Sequence, residues 1–144
     1  MTATEPAAAP PTTRGRARNV ALWVLQVLLA ATFAFAGVNK LFGLQQEMVD
    51  NFNMLSAKLG VGLWFRYLVG ALELAGAIGL LIPRLAGPAA LGLAGVMAGA
   101  VLTHLFLQPP AVLALIPATL GALFVLIARA RWPRFEHPAG RPVN

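Results

Sequence analysis

Residues 63–82 read LWFRYLVGALELAGAIGLLI, a run that is apolar apart from Arg66, Tyr67 and Glu73. A helix of about 20 residues rises about 30 Å, which is the thickness of the hydrocarbon core of a bilayer. The run therefore predicts a membrane-spanning helix. A charge near the bilayer centre costs at least about 2.5 kcal/mol, so Glu73 is expected to face protein or water and not lipid. The groups that can reach Glu73 are therefore the main question about function.

The composition indicates an integral membrane protein throughout. Hydrophobic residues make up 58% of the 144 residues and charged residues only 11%, against about 25% charged residues in soluble domains. Four apolar blocks are separated by polar or proline-containing breaks, among them Pro83-Arg84 and Pro109-Pro110. The predicted spans cover residues 20–38, 63–82, 85–107 and 111–128. Four isolated blocks can satisfy their backbone groups only as helices.

The predicted fold class is therefore all-α: a polytopic four-helix transmembrane bundle over residues 20–131, with the lipid bilayer as its first partner. Residues 1–19 are predicted to be a disordered cytoplasmic tail, because the first twelve are rich in Ala and Pro, and residues 132–144 are predicted to be a second cytoplasmic tail. Ala34-Phe35-Ala36 resembles a signal-peptide cleavage site, but the apolar stretch before it is long for a signal. An uncleaved first span is the favoured interpretation.

Positive charges predict that both termini lie in the cytoplasm. Arginines cluster just before the first span and just after the fourth, and the positive-inside rule puts such clusters on the cytoplasmic side. They are Arg14, Arg16, Arg18, Arg129, Arg131 and Arg134. The net charge of +6 is largely this topology signal. No nucleic-acid partner is predicted, because the arginines lie close to the span ends.

The connection from Asn39 to Gly62 is the largest segment between spans. Its apolar residues recur at three- and four-residue spacing, which is typical of an amphipathic helix on the outer membrane surface. These residues are Met48, Phe52, Leu55 and Leu59. Such a helix could be a simple interfacial connector, or it could cap the bundle or dock a partner.

The residue inventory excludes several kinds of chemistry. The chain has no cysteine, so it cannot carry a thiol relay, a thiolate-ligated iron–sulfur cluster or a covalently attached haem. Its two histidines are His104 in the third span and His137 in the C-terminal tail, so one chain cannot supply a bis-histidine haem site in the bundle. No metal site and no covalently bound cofactor are predicted. A redox cofactor would be a diffusible quinone or a flavin, or would belong to a partner.

Helical spacing brings several polar residues to one level near the outer leaflet. In the second span, Arg66, Gly70, Glu73 and Ala77 share one face, and the two small residues on it are expected to let a neighbouring helix approach closely. A similar stripe in the first span ends in Lys40; its other members are Gln26, Phe33 and Gly37. His104 lies near the outer end of the third span. Lys40, Arg66 and His104 are therefore expected at one depth, with Glu73 beneath them.

This arrangement has a functional and a structural interpretation. In the first, the cations Lys40, Arg66 and His104 bind a quinone head group or small anion, and Glu73 is the catalytic group that exchanges protons with it. In the second, Glu73 forms an ion pair with Arg66 or Lys40 that fixes helix register, and His104 is an interfacial residue. Both interpretations stay open at the level of sequence.

Small residues on the third span predict helix packing. Gly92, Gly95, Gly99 and Thr103 line one face of this span, and small residues three or four apart allow close approach of a second helix. We therefore expect this face to pack against another helix.

Three segments together resemble the DoxX-like family of small bacterial membrane proteins. Residues 33–40, FAFAGVNK, resemble the end of the family's first helix; residues 70–80, GALELAGAIGL, resemble its second-helix signature; and residues 100–104, AVLTH, resemble the end of its third helix. The resemblance covers about residues 20–128. It implies a four-helix bundle in the bacterial inner membrane and an association with redox processes, with Lys40, Glu73 and His104 as the polar signature.

Two hypotheses of function follow. In the first, the protein is a redox-linked membrane subunit that binds a quinone or a small anion such as a sulfur oxyanion near the outer leaflet. In the second, it is a non-catalytic anchor or assembly subunit of a larger complex. Other membrane or redox subunits, or a second copy of the chain, are the expected protein partners.

Overall fold

The computed structural model describes residues 13–132. The predicted disorder of residues 1–12, and the tail 133–144 with His137, lie outside the described residues. The elements in chain order are α1 (Thr13–Phe42), α2 (Gln46–Leu59), α3 (Trp64–Leu81), α4 (Ala86–Phe106), a 3₁₀ turn (Ala111–Ala114) and α5 (Leu115–Arg131). The predicted all-α fold is confirmed, and four helical segments of the described chain are long and apolar enough to cross a membrane.

Proline and glycine determine where the helices end. Helix α3 ends at Leu81, just before Pro83, and α4 is separated from α5 by Pro109 and Pro110. Proline has no backbone N–H and disfavours helical geometry in the residue before it, so it ends a helix. Helix α1 begins at Thr13, earlier than the predicted start of the first span at Val20. Residues 13–19, which the sequence analysis assigned to the tail, are therefore helical.

The spans pack in the cyclic order α1, α3, α4, α5. Contacts between neighbours link α1 to α3, α3 to α4, and α4 to α5. The Phe33 ring of α1 closes the ring of helices by an edge-to-face contact with Phe124 of α5, with centroids 5.0 Å apart. All four spans contribute to one apolar core: Leu29, Ala30, Phe33, Ala77, Leu80, Ala90, Leu93, Met97, Phe124, Ile127 and Ala128.

Two glycines bring α1 and α3 into backbone contact. A Cβ atom built on Gly37 would lie 2.7 Å from the carbonyl oxygen of Gly70 and 2.9 Å from the backbone nitrogen of Leu74. A Cβ atom on Gly70 would lie 2.9 Å from the Cβ of Lys40. The predicted close approach on the Gly70 face is therefore confirmed, and Lys40 lies directly beside α3.

Helix α2 lies across one end of the bundle, and we call this the α2 end. The described chain begins and ends at the opposite end, which we call the terminal end. The predicted amphipathic helix is confirmed, although its buried face differs in part from the prediction. Leu55 is buried as expected, whereas Leu59 is exposed and Val49 is buried in its place. Lys58 donates a hydrogen bond to the carbonyl oxygen of Leu107 at 3.1 Å. Helix α2 thus bridges from the end of α1 to the end of α4.

No helix of the described chain packs against the glycine face of α4. A Cβ atom on Gly92, Gly95 or Gly99 would meet no atom within 4 Å, and all three residues are exposed. The opposite face, with Leu93 and Met97, turns to the core instead. Small residues permit close packing, but their spacing does not say whether the chain itself supplies the second helix.

Candidate functional site

An ion pair between Lys40 and Glu73 lies at the centre of the candidate site. Lys40 Nζ donates to Glu73 Oε2 at 2.8 Å. The two side chains are only 11% and 6% exposed. The pair joins α1 to α3 at the level where Gly37 and Gly70 hold the two backbones together. Of the two ion pairs that the sequence left open, the structure therefore contains the one with Lys40.

Aromatic rings cover this pair on the side of α2. The Phe52 ring centroid lies 5.7 Å from Lys40 Nζ, within the range of a cation–π contact. Phe52 also stacks on Phe65 of α3, with ring centroids 5.8 Å apart and planes inclined by 29°. Helix α2 thus places an apolar cover over the charged pair. A low-dielectric cover strengthens the attraction between the two charges, because it keeps water away from them.

Arg66 is a buried cation that the ion pair does not include. Its side chain lies in the first turn of α3 and is only 8% exposed. It donates from Nη2 to the hydroxyl of Tyr67 at 2.8 Å. Its Nε is buried and has no hydrogen-bond partner among residues 13–132. Within those residues no carboxylate forms an ion pair with Arg66, since the one such pair joins Lys40 to Glu73.

Two further buried polar atoms at the α2 end also lack a hydrogen-bond partner in the described part of the chain. They are Nδ1 of His104 in the last turn of α4 and Oδ1 of Asn53 on α2. His104 lies one helical turn before Leu107, whose carbonyl oxygen accepts the hydrogen bond from Lys58 of α2. A buried polar atom left unpaired costs about 1–3 kcal/mol, and native proteins contain few of them.

The structure therefore brings together some of the predicted residues and not others. Lys40 and Glu73 are in direct contact, as one of the two predicted ion pairs requires. No hydrogen bond or ion pair within residues 13–132 joins Arg66 or His104 to Glu73. All four residues nevertheless belong to the helix segments at the α2 end. We call Lys40, Arg66, Glu73 and His104 the polar layer.

Asn39 organises the turn that leads from α1 into α2, and the sequence analysis did not identify this role. It is fully buried, and its Oδ1 accepts a hydrogen bond from the backbone N–H of Gln45 at 2.6 Å. Its Nδ2 approaches the sulfur of Met48 at 3.0 Å. Gly43 makes the turn possible with a positive φ of 69°. Asn39 thereby fixes how α2 leaves α1 and covers Lys40.

A second buried polar cluster lies at the terminal end, and the sequence analysis missed it as well. Gln26 of α1 is fully buried; its Nε2 donates to the carbonyl oxygen of Leu80 at 2.7 Å. Pro83 ends α3 there, so this carbonyl lies in the last turn and has lost a regular helical partner. Gln26 Oε1 in turn accepts a hydrogen bond from Arg131 Nε at 2.9 Å. The cluster joins α1, α3 and α5, and it is structural in character.

A cavity in the described chain lies away from the polar layer. It is a groove of about 320 Å³ between α3 and α4, lined by Leu72, Ala75, Gly76, Gly79, Leu85, Pro88, Ala89, Gly92, Leu93 and Val96. No charged or polar side chain lines it. It could hold an apolar tail, but it offers no side-chain donor to a quinone carbonyl.

The chemistry of the polar layer suits an acceptor ligand and proton exchange. Within residues 13–132, no three His, Asp or Glu side chains lie close enough together to hold a metal ion. The layer does contain hydrogen-bond donors on three helices and a carboxylate that already holds one cation. Such an arrangement suits hydrogen bonding to carbonyl or oxyanion oxygens.

Comparison with known proteins identifies the family but adds no characterised relative. A sequence model described as the DoxX-like family matches residues 24–127, which is more than half of the chain. The matched segment runs from α1 to the last turns of α5 and contains all four residues of the polar layer. No curated protein and no solved structure matches the chain significantly.

Proposed function

The chain belongs to the DoxX-like family, and we propose that it is a redox-linked membrane subunit that binds a quinone head group or a small anion in its polar layer. The observation that carries the proposal is the unmet hydrogen-bonding capacity of the α2 end. Arg66 Nε and His104 Nδ1 are buried without partners in the described chain. Buried polar atoms are nearly always paired in native proteins, so a polar ligand between these helices accounts for both.

The orientation of the protein is part of the proposal. With both termini in the cytoplasm, the α2 end faces away from the cytoplasm and the polar layer lies near the outer leaflet of a bacterial inner membrane. Arginine clusters at the terminal end favour this orientation. A ligand would reach the layer from the outer leaflet or from the outer aqueous phase, beneath or beside α2.

The residues of the layer divide the chemistry between them. Reduction of a quinone to a quinol takes up two electrons and two protons. A partner redox protein would deliver the electrons, because this chain has no cysteine to carry them. Arg66 and His104 would hold the ligand oxygens by hydrogen bonds, and Glu73 would exchange protons while Lys40 balances its charge. Phe52 and Phe65 would exclude bulk water from this step.

The alternative is a non-catalytic anchor or assembly subunit, and one observation favours it. The Lys40–Glu73 pair is short, buried and placed between two helices in backbone contact. That geometry is what a pair that fixes helix register requires. In this case the polar layer stabilises the bundle, and function lies with protein partners on its lipid-facing surfaces.

Substitution of Glu73 separates the two functions. Glu73→Gln keeps the shape of the side chain and removes its charge, while Glu47→Gln makes the same change on an exposed residue of α2. The probes are a short-chain ubiquinone analogue and inorganic sulfate, titrated by calorimetry into protein in lipid nanodiscs. The proposal expects saturable binding of at least one probe. Glu73→Gln should change the affinity at least about tenfold, downwards for the quinone analogue and upwards for sulfate, because Lys40 then carries a positive charge without its carboxylate partner. Glu47→Gln should leave the affinity unchanged.

Two controls complete the test. Expression level and helix content of each variant show whether the bundle is intact. Loss of the Glu73→Gln protein from the membrane, together with no binding of either probe to the native protein, would reject the proposal and favour the anchor. Gentle purification, followed by identification of the quinones, lipids and subunits that co-purify, would then show which partners the protein has.

A further inference from the structure

We propose that the ligand of the polar layer is an oxyanion and that Arg66 is the residue that binds it. The oxyanion would be either the phosphate of a lipid head group with a net negative charge or a free inorganic anion. This inference deepens the proposed function by naming the class of ligand, and it rests on that proposal only for the location of the site.

The first observation that supports an oxyanion is the excess of positive charge at the buried positions of the α2 end. Lys40 and Glu73 neutralise each other through their contact at 2.8 Å. Arg66 is then left as a cation that is more than nine-tenths buried and has no carboxylate partner in residues 13–132. Burying a charge without a counter-charge is costly, whereas an anion bound beside it would offset the cost. A neutral quinone could accept a hydrogen bond there, but it would leave the charge uncompensated.

The second observation is that Arg66 and His104 each have a buried nitrogen without a hydrogen-bond partner in the described chain. Tyr67 occupies Nη2 of Arg66, but the neighbouring Nε is unpaired among the described residues. A guanidinium presents its donors in a flat fork that matches two oxygens of a phosphate or sulfate. His104 Nδ1 supplies a second unpaired nitrogen, which is a donor when it carries a proton.

The position of Arg66 on α3 is a third and weaker support. It lies in the first turn of a helix of 18 residues, and the N-cap residue Leu63 provides no side-chain hydrogen bond to that turn. The N-terminus of a helix carries a partial positive charge and free N–H groups, which favour an anion nearby. By itself a helix N-terminus is not a site. Here it adds to a buried arginine that lacks a counter-charge.

Thermal stability measured with and without anion tests the proposal. The variants are Arg66→Met, which removes the charge but keeps an extended side chain, and Arg84→Gln, which removes an exposed arginine at the terminal end. Each protein is placed in nanodiscs of phosphatidylcholine, and sulfate or phosphate is titrated against chloride at constant ionic strength. A parallel series replaces part of the phosphatidylcholine with phosphatidylglycerol.

The expected result has two parts. Without added oxyanion or anionic lipid, Arg66→Met melts at the same temperature as the native protein or higher, because it removes a buried charge that has no carboxylate partner in the described chain. With a saturating oxyanion, the native protein and Arg84→Gln gain at least about 3 °C in Tm, and Arg66→Met gains less than a third of that. Sulfate also stabilises proteins non-specifically, so the difference between variants is the measured quantity.

Each outcome has one interpretation. A gain with sulfate or phosphate in phosphatidylcholine identifies a free anion, and a gain that appears only with phosphatidylglycerol identifies a lipid head group. An Arg66→Met protein that is less stable without anion, with no Arg66-dependent gain in either series, would overturn the inference. Binding of the quinone analogue that depends on Glu73 would in that case leave the proposed function standing.

Discussion

The sharpest prediction concerns the free energy of the Lys40–Glu73 pair. At a separation of 2.8 Å and an effective dielectric constant of about 20, the Coulomb attraction between the two charges is about 6 kcal/mol before desolvation. Glu73→Leu alone leaves the ammonium of Lys40 buried beneath Phe52 without a counter-charge. Lys40→Met alone leaves the carboxylate of Glu73 buried without a counter-charge. Each single change should destabilise the bundle by about 3–5 kcal/mol.

The double variant should behave differently from the sum of its parts. Lys40→Met with Glu73→Leu replaces a buried ion pair by apolar side chains of similar volume. Such replacements are often neutral or stabilising, because the desolvation penalty of both charges is removed together. We expect the double variant to lie within about 1 kcal/mol of the native protein, or to be more stable. The double-mutant cycle then reports a coupling energy that requires direct contact.

Unfolding in detergent micelles measures these free energies. Helix content, followed by far-ultraviolet circular dichroism during titration with sodium dodecyl sulfate, gives the stability of all four proteins under the same conditions. Glu47→Gln serves as the charge control, because Glu47 is exposed on α2. If the double variant lost the sum of the two single losses, the side chains would not be paired and the geometry described above would be refuted.

Three other predictions test separate contacts. Gly37→Ala should lower the free energy of unfolding by about 1–3 kcal/mol because its Cβ would overlap α3, whereas Gly95→Ala on the open face of α4 should leave it unchanged or raise it by up to about 1 kcal/mol. The same unfolding titration measures both variants, and equal effects would contradict the packing of α1 on α3. Gln26→Leu should lower the free energy of unfolding by at least about 2 kcal/mol, since it leaves the carbonyl of Leu80 and the guanidinium of Arg131 without their hydrogen-bond partner. An unchanged unfolding midpoint would show that this cluster adds no stability. Because the chain has no cysteine, a single introduced cysteine reports its own side of the membrane: in intact cells an impermeant maleimide should label Ala57→Cys on α2 and not Leu85→Cys at the terminal end. The reverse labelling pattern would show that the protein has the opposite orientation.

The sequence predicted the spans and the amphipathic helix well, because hydrophobic block length and three- and four-residue spacing are local properties. It also predicted that the Gly70 face of α3 would approach another helix closely. It left open whether Glu73 pairs with Lys40 or Arg66. That choice depends on the contact between Gly37 and Gly70, which sets the axial position of α1 relative to α3. No local pattern contains that information.

The failures of prediction have a common physical cause. The glycine face of α4 was expected to pack against another helix, yet no helix of the described chain covers it. A face of small apolar residues is compatible both with lipid and with a neighbouring helix, so its spacing alone does not choose between them. Likewise, Gln26 was recognised only as part of a stripe. Its partner Arg131 is 105 residues away along the chain and had been interpreted as a topology signal.

Ligand binding by the Arg66→Met variant tests the central claim most directly. Because this variant is expected to keep the stability of the bundle, a change in binding can be assigned to the polar layer and not to a loss of folding. Calorimetric titration of the short-chain quinone and of sulfate should show binding of at least one probe to the native protein, and a loss of at least about tenfold in affinity for that probe in Arg66→Met. A stable Arg66→Met protein that binds the probe as tightly as the native protein would contradict the claim.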